Sequence, residues 1–109
     1  MIVEKRTYTL KPGKAAAYMK IYEEFGLKPQ TRILGSMFGW FTPEIGELNQ
    51  IIHMWAYKDL GDRDKRRAEL GKDKEWAEFI KNLRDADVVV HQENQILNPA
   101  PWSPNQVLK

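Results

Sequence analysis

The sequence predicts an α+β domain, and three observations lead there. Four strand-like segments and two helix-like ones follow one another as strand, helix, strand, strand, helix, strand. The link between the two middle strands is short enough for an antiparallel pair, whereas each helix-like stretch is long enough for a crossover. The chain has 109 residues and no cysteine, which suits one core without disulfides.

Residues 2–10 alternate loosely and carry Thr7, Tyr8 and Thr9, types that favour strands. Lys11-Pro12-Gly13 ends the strand, because proline offers no amide to a ladder and glycine accepts turn conformations. Ala17, Ile21 and Phe25 recur at helical spacing, so residues 14–25 read as a helix with Gly26 as its stop. Residues 28–32, with Pro29 at their centre, read as a connector. Residues 33–41 form the second strand, where Gly35 and Gly39 suggest a bend or a close approach. Residues 42–49 form a loop around Pro43 and Gly46, and residues 50–57 are the clearest strand, short, apolar and central. Residues 59–70 form a charged helix with Asp62–Arg66 and Lys65–Glu69 pairs four apart. Gly71 interrupts it before a helix at 74–83, whose stripe of Trp76, Phe79, Ile80 and Leu83 needs cover. Residues 88–97 are the last strand, and Pro99, Pro101 and Pro104 end regular structure. The domain is thus assigned to residues 1–98 and a proline-rich tail to 99–109.

Right-handed crossovers fold this order as a ferredoxin-like βαββαβ unit, a four-stranded antiparallel sheet with helices on one face. The other face is expected to present Phe38, Trp40, Trp55 and Tyr57. A patch of that kind calls for cover. Two copies packed sheet to sheet would provide it, giving a homodimer that is a dimeric α+β barrel.

Charge and composition exclude several classes of function. Charged residues make up 29% and apolar ones 42%, a globular balance. Seventeen Lys and Arg against fifteen Asp and Glu give +2, too even along the chain to imply a nucleic-acid partner. No apolar run reaches the length of about 18 residues that a membrane span needs, and no secretory signal pattern opens the chain. The expected location is cytoplasmic. Phosphate loops, dinucleotide fingerprints, nucleophile elbows and zinc-type spacings are missing, so no cofactor and no metal site are expected. His91 and Glu93 share a strand face without a metal-type spacing around them.

The candidate site follows from strand alternation. His53, Trp55 and Tyr57 share one face of the third strand, and Ile52, Met54 and Ala56 share the other. The aliphatic set suits packing beneath helices. The imidazole, indole and phenol set suits a cavity, and is expected to meet Glu4, Arg6 and Tyr8 of the first strand and Phe38 and Trp40 of the second inside the barrel. His53 is the candidate general base, oriented by Glu4 or Glu93, against the plainer reading of a buried, satisfied histidine. Arg6 can hold a carboxylate on its planar fork, or pair internally with Glu4. Arg63, Lys65, Arg66 and Arg67 are interleaved with acids and read as a solvated face, from which Arg63 and Arg67 reach a partner subunit. Trp76 belongs to the core, and Trp102 packs the tail against something, a second subunit being the expectation.

The sequence also resembles the NIPSNAP family. The likeness rests on residues 4–13 ending in Lys11-Pro12-Gly13, on Gly39-Trp40-Phe41-Thr42 with Glu44-Ile45-Gly46 and Asn49-Gln50, and on Ile52-His53-Met54-Trp55-Ala56-Tyr57. Asp62-Arg63, Arg66-Arg67, Gln92-Glu93-Asn94, Pro99 and Pro101 extend it over nearly the whole chain. The resemblance implies the dimeric α+β barrel superfamily, whose members include cofactor-independent monooxygenases, isomerases, haem-binding proteins and stress-responsive barrels. Eukaryotic members are mitochondrial and associated with vesicle trafficking and mitophagy. Most short members have no established activity, and a shared fold does not transfer a function. Two readings follow. In the first, a homodimer binds a small apolar or aromatic molecule in a sheet-lined cavity, and any turnover is of the cofactor-independent oxygenase or isomerase kind. In the alternative, the chain is a non-catalytic protein-interaction module, a trafficking or stress-related adaptor. Sequence leaves open whether the protein is an enzyme.

Overall fold

A computed structural model describes residues 1–104, so the end of the proline-rich tail, 105–109, lies outside the described residues. The elements are β1 (Ile2–Leu10), α1 (Ala15–Ile21), a π turn (Tyr22–Gly26), α2 (Leu27–Leu34), β2 (Ser36–Phe41), β3 (Gln50–Tyr57), α3 (Leu60–Gly71), α4 (Lys74–Ala86) and β4 (Val89–Leu97). The sheet order is β2-β3-β1-β4 with every neighbouring pair antiparallel, the ferredoxin-like arrangement. No helix among the described residues is long and apolar enough to cross a membrane.

The first helical region corrects the sequence reading. Gly26 does not stop the helix and 28–32 is not a connector. The backbone stays helical at Tyr22, Gly26 and Leu27, so α1, the π turn and α2 run on without a break. Proline inside a helix lacks the N–H for the preceding turn and crowds the carbonyl four residues back. The wider π turn lies where that crowding from Pro29 would fall. Gly26 serves packing instead, since a Cβ there would sit 2.8 Å from ring carbons of both Phe79 and Tyr22. The true stop is Gly35, whose φ of 85° ends α2.

The later helices start on side-chain caps. Asp59 accepts from the Asp62 amide at 2.8 Å to open α3, and Asp73 accepts from the Trp76 amide at 2.9 Å to open α4. Asp87, left-handed at φ 53°, closes α4 and hands the chain to β4.

The core lies between helices and sheet in two clusters. Tyr8, Leu10, Tyr18, Tyr22, Ile51, Phe79 and Val88 form one, with Trp76 packed against it as expected, and Ile33, Leu34, Trp55, Tyr57 and Leu70 form the other. Trp55 and Tyr57 therefore lie under the helices, and Trp40 packs against the first cluster. The expectation that these three rings face away from the helices is reversed. The opposite face carries Ile52, Met54 and Ala56, in register with Thr7, Lys5 and Val3 of β1 respectively. It also presents Phe38, Phe41 and Leu97, all more than a third exposed.

Packing at Gly26 yields the first prediction. Gly26→Ala drives a methyl group into two buried rings and is expected to cost about 1–3 kcal/mol, lowering the thermal midpoint by several degrees. Gly71→Ala, where a Cβ meets nothing within 4 Å, should instead hold or raise stability by about 0.5–1 kcal/mol. Thermal unfolding followed by circular dichroism compares the two signs.

Candidate functional site

At the middle of β1, alternation points Glu4, Arg6 and Tyr8 toward the helices, and register sets Glu4 beside Trp55 and Arg6 beside His53. Glu4 is fully buried yet charged, because donors surround it. Arg63 of α3 grips it with both arms of its fork, Nε to Oε1 at 3.1 Å and Nη2 to Oε2 at 2.9 Å. Arg6 Nη1 donates at 3.0 Å and Asn94 Nδ2 of β4 at 2.9 Å. Burial works to raise the carboxyl pKa. The bonds from Arg63 and Asn94 and the charges of Arg6 and Arg63 outweigh it, and hold the group down at about 2. Arg6 also donates Nε to the Tyr8 hydroxyl at 2.9 Å. The internal ion pair anticipated for Glu4 and Arg6 is present, with Arg63 as a third member.

His53 sits in a stack of rings. Trp40 lies over it at 5.2 Å between centroids and 14° between planes, Tyr22 stacks on Trp40 at 4.7 Å, and Tyr8 meets His53 edge-on at 5.1 Å. The Trp55 indole donates to His53 Nδ1 at 2.7 Å. An indole N–H only donates, so Nδ1 is the acceptor and the proton of the neutral ring is on Nε2. Burial, and then the charge of Arg6, push the imidazole pKa down to about 3. His53 is therefore neutral near pH 7 and offers a donor with no free lone pair. A general base at this position would need a free lone pair, which this tautomer does not offer.

Three polar atoms here have no hydrogen-bond partner among the described residues: His53 Nε2, the Tyr57 hydroxyl and Trp40 Nε1. His53 and Tyr57 are each 1% exposed. Burial and the nearby Glu4 charge raise the Tyr57 phenol to about 12, so it stays protonated. His53 and Tyr57 stand four residues apart on one strand face, which separates their Cα atoms by roughly 13 Å with Trp55 between them. At the β2 edge Trp40 also lines a groove of about 210 Å³ with Met19, Tyr22, Leu27 and Met37.

The structure thus brings Glu4, Arg6, Tyr8, Trp40, His53, Trp55 and Tyr57 to one face. It separates two of the expected residues from them. Phe38 occupies a register shift between Met37 and Gly39, so it leaves the face that Met37 and Trp40 share and lines the open side. Glu93 pairs in register with Thr7 and bonds exposed His91 at 3.1 Å, on the side away from His53. Among the described residues no three His, Cys, Asp or Glu side chains stand close enough together to hold a metal ion.

Four contributors were not anticipated. Tyr22 donates to Gln30 Oε1 at 2.6 Å beneath α2, a pairing that depends on the π turn. Asn94 sits one strand away from Arg6. Arg63 turns inward to Glu4, and Arg67, one turn on, is half-buried rather than fully solvated. Their signal was available: positions 63, 66, 67 and 70 form one helical stripe ending in buried Leu70.

Comparison with known proteins decides the family. The NIPSNAP family model matches residues 3–104. This chain belongs to the NIPSNAP family. It is 34% identical over 106 residues to human Protein NipSnap homolog 3B, with 92% of this chain and 40% of that protein aligned. The chain spans less than half the length of the curated NipSnap relatives it matches. A crystal structure of a NIPSNAP family protein with unknown function from Agrobacterium tumefaciens superposes with a TM-score of 0.90 at 43% identity, covering 95% of this chain and 92% of that one. A putative antibiotic biosynthesis monooxygenase from Nitrosomonas europaea shares the fold, with a TM-score of 0.64 at 13% identity and 90% and 97% coverage. That likeness speaks to fold alone.

The buried NIPSNAP cluster predicts acid sensitivity. The unfolded imidazole titrates near 6.5, whereas folded His53 does so at about 3. Below pH 6.5 only the unfolded chain gains that proton, so stability falls as pH drops toward 3, by up to about 1.4 kcal/mol per unit. Glu4, at about 2 against an ordinary 4.5, adds a loss of the same sign as pH falls below 4.5. Urea unfolding should show the wild type losing about 1–2 kcal/mol between pH 7 and 5, and His53→Gln losing little over that interval.

Proposed function

We propose that this chain is a small-molecule binding protein, taking a molecule with an apolar or aromatic body into the layer between helices and sheet. We propose also that two copies close the open sheet face as a homodimeric barrel. The first part rests on one observation. His53 Nε2, the Tyr57 hydroxyl and Trp40 Nε1 are buried and without partners among the described residues, while the polar groups of Arg6, Tyr8, Tyr22 and Trp55 beside them are paired. Native interiors satisfy roughly nine in ten such groups. Three exceptions, two on β3 and one on neighbouring β2, support a ligand that supplies the acceptors. The surrounding rings of Trp40, Trp55 and Tyr8 suit an aromatic or aliphatic body. Turnover of the cofactor-independent oxygenase or isomerase kind would use these donors to hold negative charge on a ligand oxygen.

The test is a panel of phenols, quinones and fatty-acid-like molecules, followed by thermal shift and then calorimetry. A hit should raise the thermal midpoint in a concentration-dependent manner. Tyr57→Phe should leave the unliganded protein as stable as wild type or slightly more so, because it removes an unsatisfied hydroxyl. The same change should weaken the hit about five- to tenfold. A panel without hits, or a variant that binds as well as wild type, overturns the reading.

The homodimer is supported by the composition of the open face. Phe38, Met54 and Leu97 line a groove of about 570 Å³ there, roofed by the tail from Asn98 to Pro104. Trp102 is 85% exposed above it. Light scattering at micromolar concentration should give twice the chain mass, and Phe38→Asp should give a monomer with an unchanged far-ultraviolet spectrum. A compact wild-type monomer overturns this part.

A further inference from the structure

The inner stripe of α3 has an unusual composition. A helix that covers a sheet normally turns apolar side chains inward, at spacings of three and four. In α3 that stripe is Arg63, Arg66, Arg67 and Leu70. Three of the four are accounted for. Arg63 holds Glu4 and bonds Asp64 at 3.0 Å. Arg66 donates to Asp62 at 2.9 Å and to the Ile33 carbonyl at 3.1 Å. Leu70 is buried in the second core cluster.

Arg67 is the exception. It is half-buried, and no hydrogen bond or ion pair joins it to any described residue. Its helical position is one turn on from Arg63, on the side facing the sheet. From there its charge acts on both His53 and Tyr57, two of the three residues with orphaned polar atoms, Trp40 being the third. Charge balance adds to this. The cluster holds three guanidiniums, those of Arg6, Arg63 and Arg67, against one buried carboxylate, that of Glu4, with the Asp64 carboxylate out in solvent.

We infer that the molecule bound at this site is a small organic anion, an aromatic or aliphatic carboxylate, and that Arg67 is its charge partner beside the donors of His53 and Tyr57. This rests on the small-molecule reading above and narrows it. The chemistry is one-sided. His53 Nε2–H and the guanidinium of Arg67 can only donate, and the Tyr57 phenol keeps its proton. A cation would meet three like charges. A neutral alcohol or amide would supply an acceptor and leave the excess charge uncompensated. A carboxylate does both, and its two oxygens match a guanidinium fork.

Matched pairs that differ only in charge provide the test: benzoate, phenylacetate, octanoate and decanoate, each against its own primary amide, titrated into the full chain by calorimetry and by nitrogen–proton correlation spectra. On the wild type at least one carboxylate should bind about tenfold or more tightly than its amide. Arg67→Met should reduce that preference to about twofold or less, and Arg67→Lys should retain part of it. Lys65→Met removes the same charge from the exposed side of α3 and should leave the preference intact. Thermal midpoints of the Arg67 variants should stay close to wild type, since no described group is hydrogen-bonded or ion-paired to Arg67. Amides that bind as tightly as their acids, or a preference that survives Arg67→Met, overturn the carboxylate inference and leave small-molecule binding standing. If no acid or amide binds and the phenol and quinone panel also gives no hit, both fall.

Discussion

One carboxylate organises the interior. Glu4 on β1 is fully buried and accepts from Arg6 on its own strand, Asn94 on β4 and Arg63 on α3. A lone buried charge of this kind would be expelled or neutralised. With four donor atoms on its two oxygens it becomes a fastener between layers. That matters most for α3, which buries only Leu70 fully. Hydrophobic packing locates its C-terminal end, and the Arg63 ion pair with Glu4 and the Arg66 hydrogen bond to the Ile33 carbonyl locate the rest. Losing one partner of such a set costs more than the set itself contributes, because the others stay buried and unpaired. The position of Arg63, and with it the N-terminal half of α3, therefore depends on Glu4 keeping its charge.

Two backbone irregularities aim the rings of the site. The π turn carries the chain through Gly26 to Pro29, and lets Tyr22 reach Gln30 while it stacks on Trp40. The register shift in β2 lets Met37 and Trp40 face the helices together, though they are three positions apart. Without that shift, strict alternation would turn one of them outward. Insertions of this kind recur where a side chain has to be redirected. Here both converge on Trp40, the ring that covers His53.

Much of the architecture was legible in the sequence, since period, turn residues and caps point the same way. Ile2–Leu10 and Gln50–Tyr57 have the predicted limits, and Asp59 and Asp73 mark the starts of α3 and α4. The first helical region misled because Gly26 and Pro29 are each individually breakers, and nothing in either one announces a π turn. The faces of the sheet misled for a different reason. Aliphatic residues were assigned to the helix side on the premise that what lies beneath helices is uniformly apolar. The residues toward which α3 turns its arginines had to be polar to match. Glu4, His53 and Tyr57 are those residues, and the match is visible only when strand and helix are considered together. For Phe38 the glycines at 35 and 39 signalled a bend, and the register shift does fall beside Gly39, but glycine alone does not say which neighbour is turned to the other face.

Alternation along β1 and β3 gives the two sides of this sheet separate chemistries. On the helix side charged and ring-nitrogen groups are held by directional bonds, and register fixes them to within one residue. On the open side Val3, Met54 and Leu97 offer apolar surface with no such directionality. Apolar surface tolerates exchange of one side chain for another of similar volume, whereas a fork-to-carboxylate bond does not. The two sides are therefore under different constraints although they share a backbone. A substitution at Phe38 alters what the open face can pack against without moving Glu4 or His53. A one-residue slip of β1 against β3 would destroy both sides at once, and the Glu4–Arg63 bond, which crosses from strand to helix, opposes that slip.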